Sequence, residues 1–234
     1  MKALVLLSGG VDSSTCLGMT IKELGSQNVV ALCAVYGQKH TKELKAARDI
    51  ADYYSIELIE VDLIQIFSYS NSSLLSHSSK EIPHGAYGSQ LEEMKGDVVS
   101  TYVPFRNGLF LSVAASIALS KECDIIYYGA HSDDAAGNAY PDCSKEFNEA
   151  MNMAIYQGSG KKVRIVAPFV DMHKSDIVEK GLELGVPYGL TWSCYEGNDT
   201  SCGKCGTCID RELAFEKNNT IDPLVNLRKD KEIK

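Results

Sequence analysis

Ser8-Gly9-Gly10-Val11-Asp12-Ser13 constrains this chain more than any other stretch. It follows the apolar run Ala3-Leu4-Val5-Leu6-Leu7 and precedes a segment of helical character over 14–24. A strand feeding a Gly-rich turn and then a helix start makes an anion cradle. The glycines let the backbone approach closely, and the free N–H groups and helix dipole favour negative charge. Ser8 and Ser13 add hydroxyl donors, and the expected binding stretch runs through Leu7, Ser8, Gly9, Gly10, Val11, Asp12, Ser13 and Ser14. A carboxylate such as Asp12 repels phosphates unless Mg²⁺ sits between them. The turn therefore reads as a site for ATP and Mg²⁺. It lacks the Lys of a Walker A loop.

The next segments predict a doubly wound sheet. Residues 29–35 are a continuous apolar run with β-branched members, as in a buried parallel strand. Residues 41–54 carry a Thr cap and apolar residues at helical spacing, and 57–61 alternate as a third strand. With later strands at 125–130 and 164–168, this predicts an α/β fold: about five parallel strands joined by right-handed crossovers. The expected division is a main domain over 1–190, a small cysteine module over 191–222 and a tail over 223–234. Residues 64–100 break the rhythm, and such an insertion is expected to be a mobile lid over the substrate side. The charged stretch 228–234 is expected to fray.

Arg106 and Asn107 stand where the chain enters a helix over 108–120 that is apolar nearly all round, hence buried. An unpaired guanidinium is costly there, so Arg106 needs an anion: a phosphate or substrate carboxylate, or else a buried Asp. The strand over 125–130 runs into the polar stretch from His131 to Cys143, which should face the cradle. Within it Asp142 is expected to cap a helix over 143–155. Lys174, at the opening of a helix running to Leu184, is placed to meet phosphate or developing negative charge.

The spacing C-x7-C-x2-C-x2-C, formed by Cys194, Cys202, Cys205 and Cys208, suits four thiolates around tetrahedral Zn²⁺. A closed shell leaves no open position, so the metal reads as structural; an iron–sulfur cluster and redox thiols are the alternatives. The other four cysteines are scattered, and a 234-residue chain with an ample core needs no disulfides. The expected compartment is the reducing cytoplasm. A formal charge of −8 disfavours a nucleic-acid partner, and no apolar run approaches the length of a membrane span.

The turn at 8–13 resembles the PP-loop of the ATP pyrophosphatases, which cleave ATP between the α- and β-phosphates and adenylate a substrate oxygen. Taken in order with Tyr36-Gly-Gln-Lys-His40, Val103-Pro-Phe-Arg-Asn107, Tyr140-Pro-Asp-Cys143 and Trp192-Ser-Cys-Tyr195…Cys202…Cys208, it resembles the 7-cyano-7-deazaguanine synthases of the queuosine and archaeosine pathways. The matches span nearly the whole chain. The resemblance implies a homodimeric enzyme that converts 7-carboxy-7-deazaguanine and ammonia to the nitrile with ATP, through adenylated carboxylate, amide and adenylated amide. It implies that Asp12 lies near Mg²⁺ and that Gln38 and His40 join the nucleotide site. It further implies that Arg106, Asn107 and Lys174 neutralise charge on the carboxylate and phosphate, while Asp134, Tyr140 and Asp142 recognise the base. The family pattern is broken at 133–139, which is longer and lacks an aromatic residue, and at Phe105, which replaces a small residue. Both departures bear on base choice and on whether the reaction stops at the amide. Competing readings are a tRNA-thiolating or ammonia-transferring PP-loop ligase and a non-catalytic nucleotide-binding zinc protein.

Overall fold

Each apolar run read as a strand finds a parallel neighbour. The strands β1 (Ala3–Leu6), β2 (Val29–Val35), β3 (Glu57–Asp62), β4 (Ile125–Tyr127) and β5 (Arg164–Val166) form one sheet in the order β3-β2-β1-β4-β5. The computed structural model describes residues 1–93, 98–197 and 199–225, so the tail expected to fray lies outside them. Helices α1 (Val11–Leu24) and α2 (Lys42–Tyr54) link the first strands, and the short α3 (Ile64–Phe67) and α4 (Tyr87–Glu93) belong to the insertion. Then come α5 (Arg106–Ser120), a single turn α6 (Ser132–Ala135), α7 (Lys145–Gly158), α8 (Lys174–Glu183) and α9 (Gly206–Lys217).

Side chains alternate across a strand, so β1 feeds two cores. Ala3, Val5 and Leu7 bury against Leu17 of α1, Ala47 and Ile50 of α2 and Ile177 of α8. Leu4 turns to the opposite face, against Leu111, Ala114 and Ala118 of α5 and Ile155 of α7. Each such large side chain contributes about 1.5–3 kcal/mol relative to exposure. Strands β3 and β5 are the edges, and on β3 the exposed Glu57, Glu60 and Asp62 put charge on both faces, which discourages further pairing.

The structure corrects three local expectations. Helix α5 starts at Arg106, and Ser112, Ser116 and Leu119 leave it an exposed strip instead of burial all round. Asp142 does not cap the following helix. Pro141 sets a 3₁₀ turn over Pro141–Cys143, and Ser144 caps α7 by accepting from the Phe147 N–H at 3.1 Å. The Asp142 carboxylate instead accepts the Asn107 N–H at 2.8 Å, serving the first turn of α5. The insertion is not open loop at its start either, because Phe67, Leu74 and Leu75 bury with Tyr36 and Val103.

Candidate active site

In the strand order the direction of winding reverses beside β1, and the carboxyl ends of β1, β2 and β4 open there onto a cavity of about 230 Å³. That is where open α/β sheets bind ligands. One end of the cavity is the Gly-rich turn. Gly9 has φ +82°, and a Cβ there would lie 2.6 Å from the Ala47 nitrogen and the Glu43 carbonyl of α2, so only glycine fits. Gly10 then precedes α1, whose first-turn N–H groups have no side-chain cap. Ser8 and Ser13 are joined hydroxyl to hydroxyl at 3.0 Å. An uncapped helix start with two hydroxyls beside it is an anion site.

Asp12 sits in the first turn of α1, and Lys174 opens α8 from across the cavity with Nζ 2.5 Å from Asp12 Oδ2. His131 Nε2 lies 3.3 Å from Asp134 Oδ2 and 3.8 Å from Asp12 Oδ2. Burial pushes the Asp12 carboxyl up, but the Lys174 ammonium and His131 outweigh it and hold the group below its usual value. Lys174 is treated in mirror fashion: burial works against its charge, and Asp12 and Asp134 raise it above the ordinary lysine value. Both therefore stay charged at neutral pH. Asp12 Oδ1 is buried without a hydrogen-bond partner. A buried carboxylate oxygen with no donor is suited to a divalent cation, so the residues fit Mg²⁺.

At the opposite end Arg106 makes its direct contacts with a neutral group. Its Nη1 donates to the Tyr36 hydroxyl at 3.1 Å, and the guanidinium lies 5.3 Å from the centre of that ring. Among the described residues no carboxylate comes within ion-pair distance of it. Glu43 and Asp142 act on it only from farther off, and the Asp142 carboxylate bonds the α5 terminus.

Of the residues expected in the site, Leu7, Ser8, Gly10, Asp12, Ser13, Gln38, Arg106, Asn107, Asp134 and Lys174 line the cavity. Gly9 supports it from beneath, Val11 packs into a core with Val178 and Val186, and Ser14 is fully buried. His40 stands apart, edge-on to Trp192 and against Gly197. Tyr140 and Asp142 also lie behind the wall. Trp192, Ser193 and Tyr195, quoted in a motif but given no role, also line the cavity, and sequence reasoning left out Glu43, Tyr87, Thr207 and Asp210. Burial pushes Glu43 up to about 7 against the pull of Arg106. Burial also lifts Asp210 to about 6, with Lys174 opposing and Asp134 and Asp133 assisting.

Cys194, Cys202, Cys205 and Cys208 bring their sulfurs within 4.8 Å of one another. Four sulfurs around one zinc stand about 3.8 Å apart at Zn–S near 2.3 Å, so the cluster needs little adjustment. The N–H groups of Lys204 and Cys205 both point at Cys202 Sγ, at 3.4 Å, and Cys202 N–H at Cys194 Sγ, at 3.3 Å. Such donors favour thiolates. The donor set fits a soft or borderline metal.

Residues 2–219 match the family described as Queuosine biosynthesis protein QueC. The chain is 42% identical over 227 residues to a 7-cyano-7-deazaguanine synthase of Archaeoglobus fulgidus, a match covering 97% of this chain and 90% of that one. It is 43% identical over 224 residues to a 7-cyano-7-deazaguanine synthase of Caldicellulosiruptor bescii, covering 96% of each. Among solved structures, the U34-tRNA thiolase NcsA from Methanococcus maripaludis, which has a 4Fe-4S cluster, superposes with a TM-score of 0.52 at 16% identity, covering 93% of this chain and 67% of that one. NMN synthetase from Francisella tularensis gives 0.51 at 16%, covering 94% and 77%. At that identity these two speak for the fold alone. A family match over nearly the whole chain, joined to a Gly-rich turn at the winding reversal, leads to one conclusion: the chain belongs to the Queuosine biosynthesis protein QueC family.

Proposed function

We propose that the protein converts 7-carboxy-7-deazaguanine and ammonia to 7-cyano-7-deazaguanine at the expense of ATP. The observation that carries this reading is Arg106: a guanidinium without a carboxylate partner, sharing one cavity with the nucleotide cradle. A substrate carboxylate is the partner it lacks, and that carboxylate must be next to ATP to be adenylated. Adenylation supplies the leaving group a carboxylate does not have. Ammonia then displaces AMP to give the amide, and adenylation of the amide oxygen allows loss of AMP to form the nitrile.

The first-turn N–H groups of α1, with Ser8 and Ser13, would hold the phosphates. Asp12 would hold Mg²⁺, which when bound neutralises phosphate charge and polarises the α-phosphate. Lys174 supplies a second cation for charge that builds at phosphorus. Asp134 suits the N–H edge of a guanine-like base. Protons leave as ammonia becomes amide and amide becomes nitrile. Glu43 and Asp210, the two carboxyls raised toward neutrality, are suited to take them. For the cysteine cluster we favour structural Zn²⁺, since its four sulfurs leave no open position. We further infer a cytoplasmic homodimer with no nucleic-acid or membrane partner; among the described residues no helix is long and apolar enough to cross a membrane.

Mass spectrometry of protein given ATP, Mg²⁺, ammonium and 7-carboxy-7-deazaguanine tests the reading. Nitrile with AMP and pyrophosphate is the expected result. Amide that accumulates without nitrile restricts the enzyme to the first half-reaction. Absence of both AMP and base product leaves a nucleotide-binding protein.

A further inference from the structure

Two of the cavity-lining aromatic residues, Tyr87 and Tyr195, are held by the cysteine module. The insertion reaches that module through four consecutive contacts. Ile82 packs among the cysteines, and His84 forms an antiparallel bridge with Cys205. Gly85 N–H donates to the Lys204 carbonyl at 2.9 Å, and His84 Nε2 lies 2.5 Å from Glu196 Oε1. Every partner here is a cysteine of the cluster or lies within two residues of one. One turn later Tyr87 meets two more such neighbours. Its hydroxyl is 2.7 Å from that of Tyr195, which follows Cys194, and its ring lies 3.1 Å from where a Cβ on Gly206 would stand, directly after Cys205.

The hydroxyls form a linked chain. Thr101 Oγ1 lies 2.6 Å from the Tyr140 hydroxyl, which donates to Tyr87 at 3.3 Å. The Tyr87 and Tyr195 hydroxyls share a hydrogen bond that either can donate, and Tyr195 also pairs with Tyr140. A hydroxyl has one proton and two lone pairs, so Tyr195, which lines the cavity, can still meet a polar group of a ligand there.

We propose that the Tyr195 hydroxyl hydrogen-bonds a polar group on the edge of the bicyclic base, that Tyr87 positions it, and that the metal-bearing cysteine module sets the geometry of both. The substrate half of this rests on the function proposed above. The coupling between module and insertion does not. Tyr87→Phe breaks the chain and keeps the ring. In metal-loaded protein it is expected to raise KM for the deazaguanine about tenfold, the worth of a lost hydrogen bond, and to leave KM for ATP within about twofold. Tyr195→Phe gives the same pattern and adds nothing further when combined with Tyr87→Phe. Gly206→Ala crowds the Tyr87 ring without removing a ligand. It is expected to raise the base KM severalfold with metal stoichiometry unchanged.

Amide hydrogen exchange gives a readout independent of turnover. Stripping metal from the full chain with a chelator is expected to deprotect Gly85 while strand β1 stays protected. If stripping unfolds the chain, exchange in metal-loaded Gly206→Ala decides instead, with faster exchange at Gly85 expected. Unchanged base KM in both tyrosine variants overturns the substrate half, and Gly85 exchange that ignores both metal and Gly206→Ala overturns the coupling. Wild-type protein that adenylates no deazaguanine overturns the function itself, and the exchange data then still decide whether the module orders the insertion.

Discussion

Two arginines show how the substrate end of the cavity differs from the root of the cysteine module. Arg211, on α9, is 1% exposed and fully engaged: Nε and Nη2 grip the two oxygens of Asp222 at 2.8 and 2.9 Å. Its remaining donors reach Thr191 Oγ1 at 2.8 Å, Ser193 Oγ at 3.3 Å and the Tyr188 carbonyl at 3.2 Å. Arg106 has one hydroxyl at 3.1 Å. Both were drawn in from water at a cost, but only Arg211 is compensated within the chain. A buried cation whose partners are all internal ties elements together, here α9 to the 188–193 segment and to Asp222. A cation left short of partners beside a cavity is kept for a ligand.

The comparison breaks if the two ends respond alike to mutation. The largest effect is expected at the cradle. Asp12→Ala should lower AMP formation by about a thousandfold or more, as expected of the carboxylate proposed to hold Mg²⁺ beside the reacting phosphate, while circular dichroism stays native. Arg211→Ala should destabilise by about 3–5 kcal/mol in urea unfolding, since it strands a buried Asp222, with kcat of the folded fraction retained. Arg106→Ala should show the reverse: kcat/KM for the carboxylate down about a hundredfold and the unfolding midpoint nearly unchanged. An Arg106 variant that fails to fold would return it to a structural role.

Asp210 sharpens the contrast through pH. Its folded pKa, about 6, lies above the ordinary Asp value. The folded state therefore holds the proton longer than the unfolded chain, and stability falls as pH rises from about 4 to about 6. Asp210→Asn, permanently neutral, should be more stable than wild type by about 1–2 kcal/mol at pH 8, and the gap should close at pH 4. A gap that persists at pH 4 would mean the gain is not electrostatic. The smallest effect is expected at Phe105, 56% exposed with φ +54° at the entrance to α5. Phe105→Asn should leave stability in thermal unfolding within about 0.5 kcal/mol of wild type, because asparagine's tolerance of the left-handed region offsets the lost edge-on contact with Phe147.

Where function rests on contiguous residues, the chain is legible on its face. The apolar run 3–7, the glycine pair and Asp12 are neighbours in sequence and remain neighbours in space, because strand, turn and helix geometry is local. The four cysteines are legible for the same reason, since short spacings leave the sulfurs few ways to be apart. The parallel sheet was readable too, because a strand buried on both faces must be apolar throughout.

The substrate end required the tertiary structure. Arg106 announced that it needed an anion, but whether an Asp would supply it depended on where Asp142 pointed, and the turn at Pro141 sent that carboxylate to the α5 terminus. His40 belongs to a quoted motif and still lies outside the cavity wall, in the loop before α2, where it stands edge-on to Trp192. Tyr87 and Asp210 carried no local signal of their own, and Tyr195 stood in a quoted motif without a role; they arrive from the insertion, α9 and the cysteine loop only once these pack together. Local geometry decided the Gly-rich turn and the cysteine cluster, because their residues are close in sequence. The opposite wall of the cavity was decided by packing, which brings together side chains more than a hundred residues apart, as in the Tyr87–Tyr195 pair.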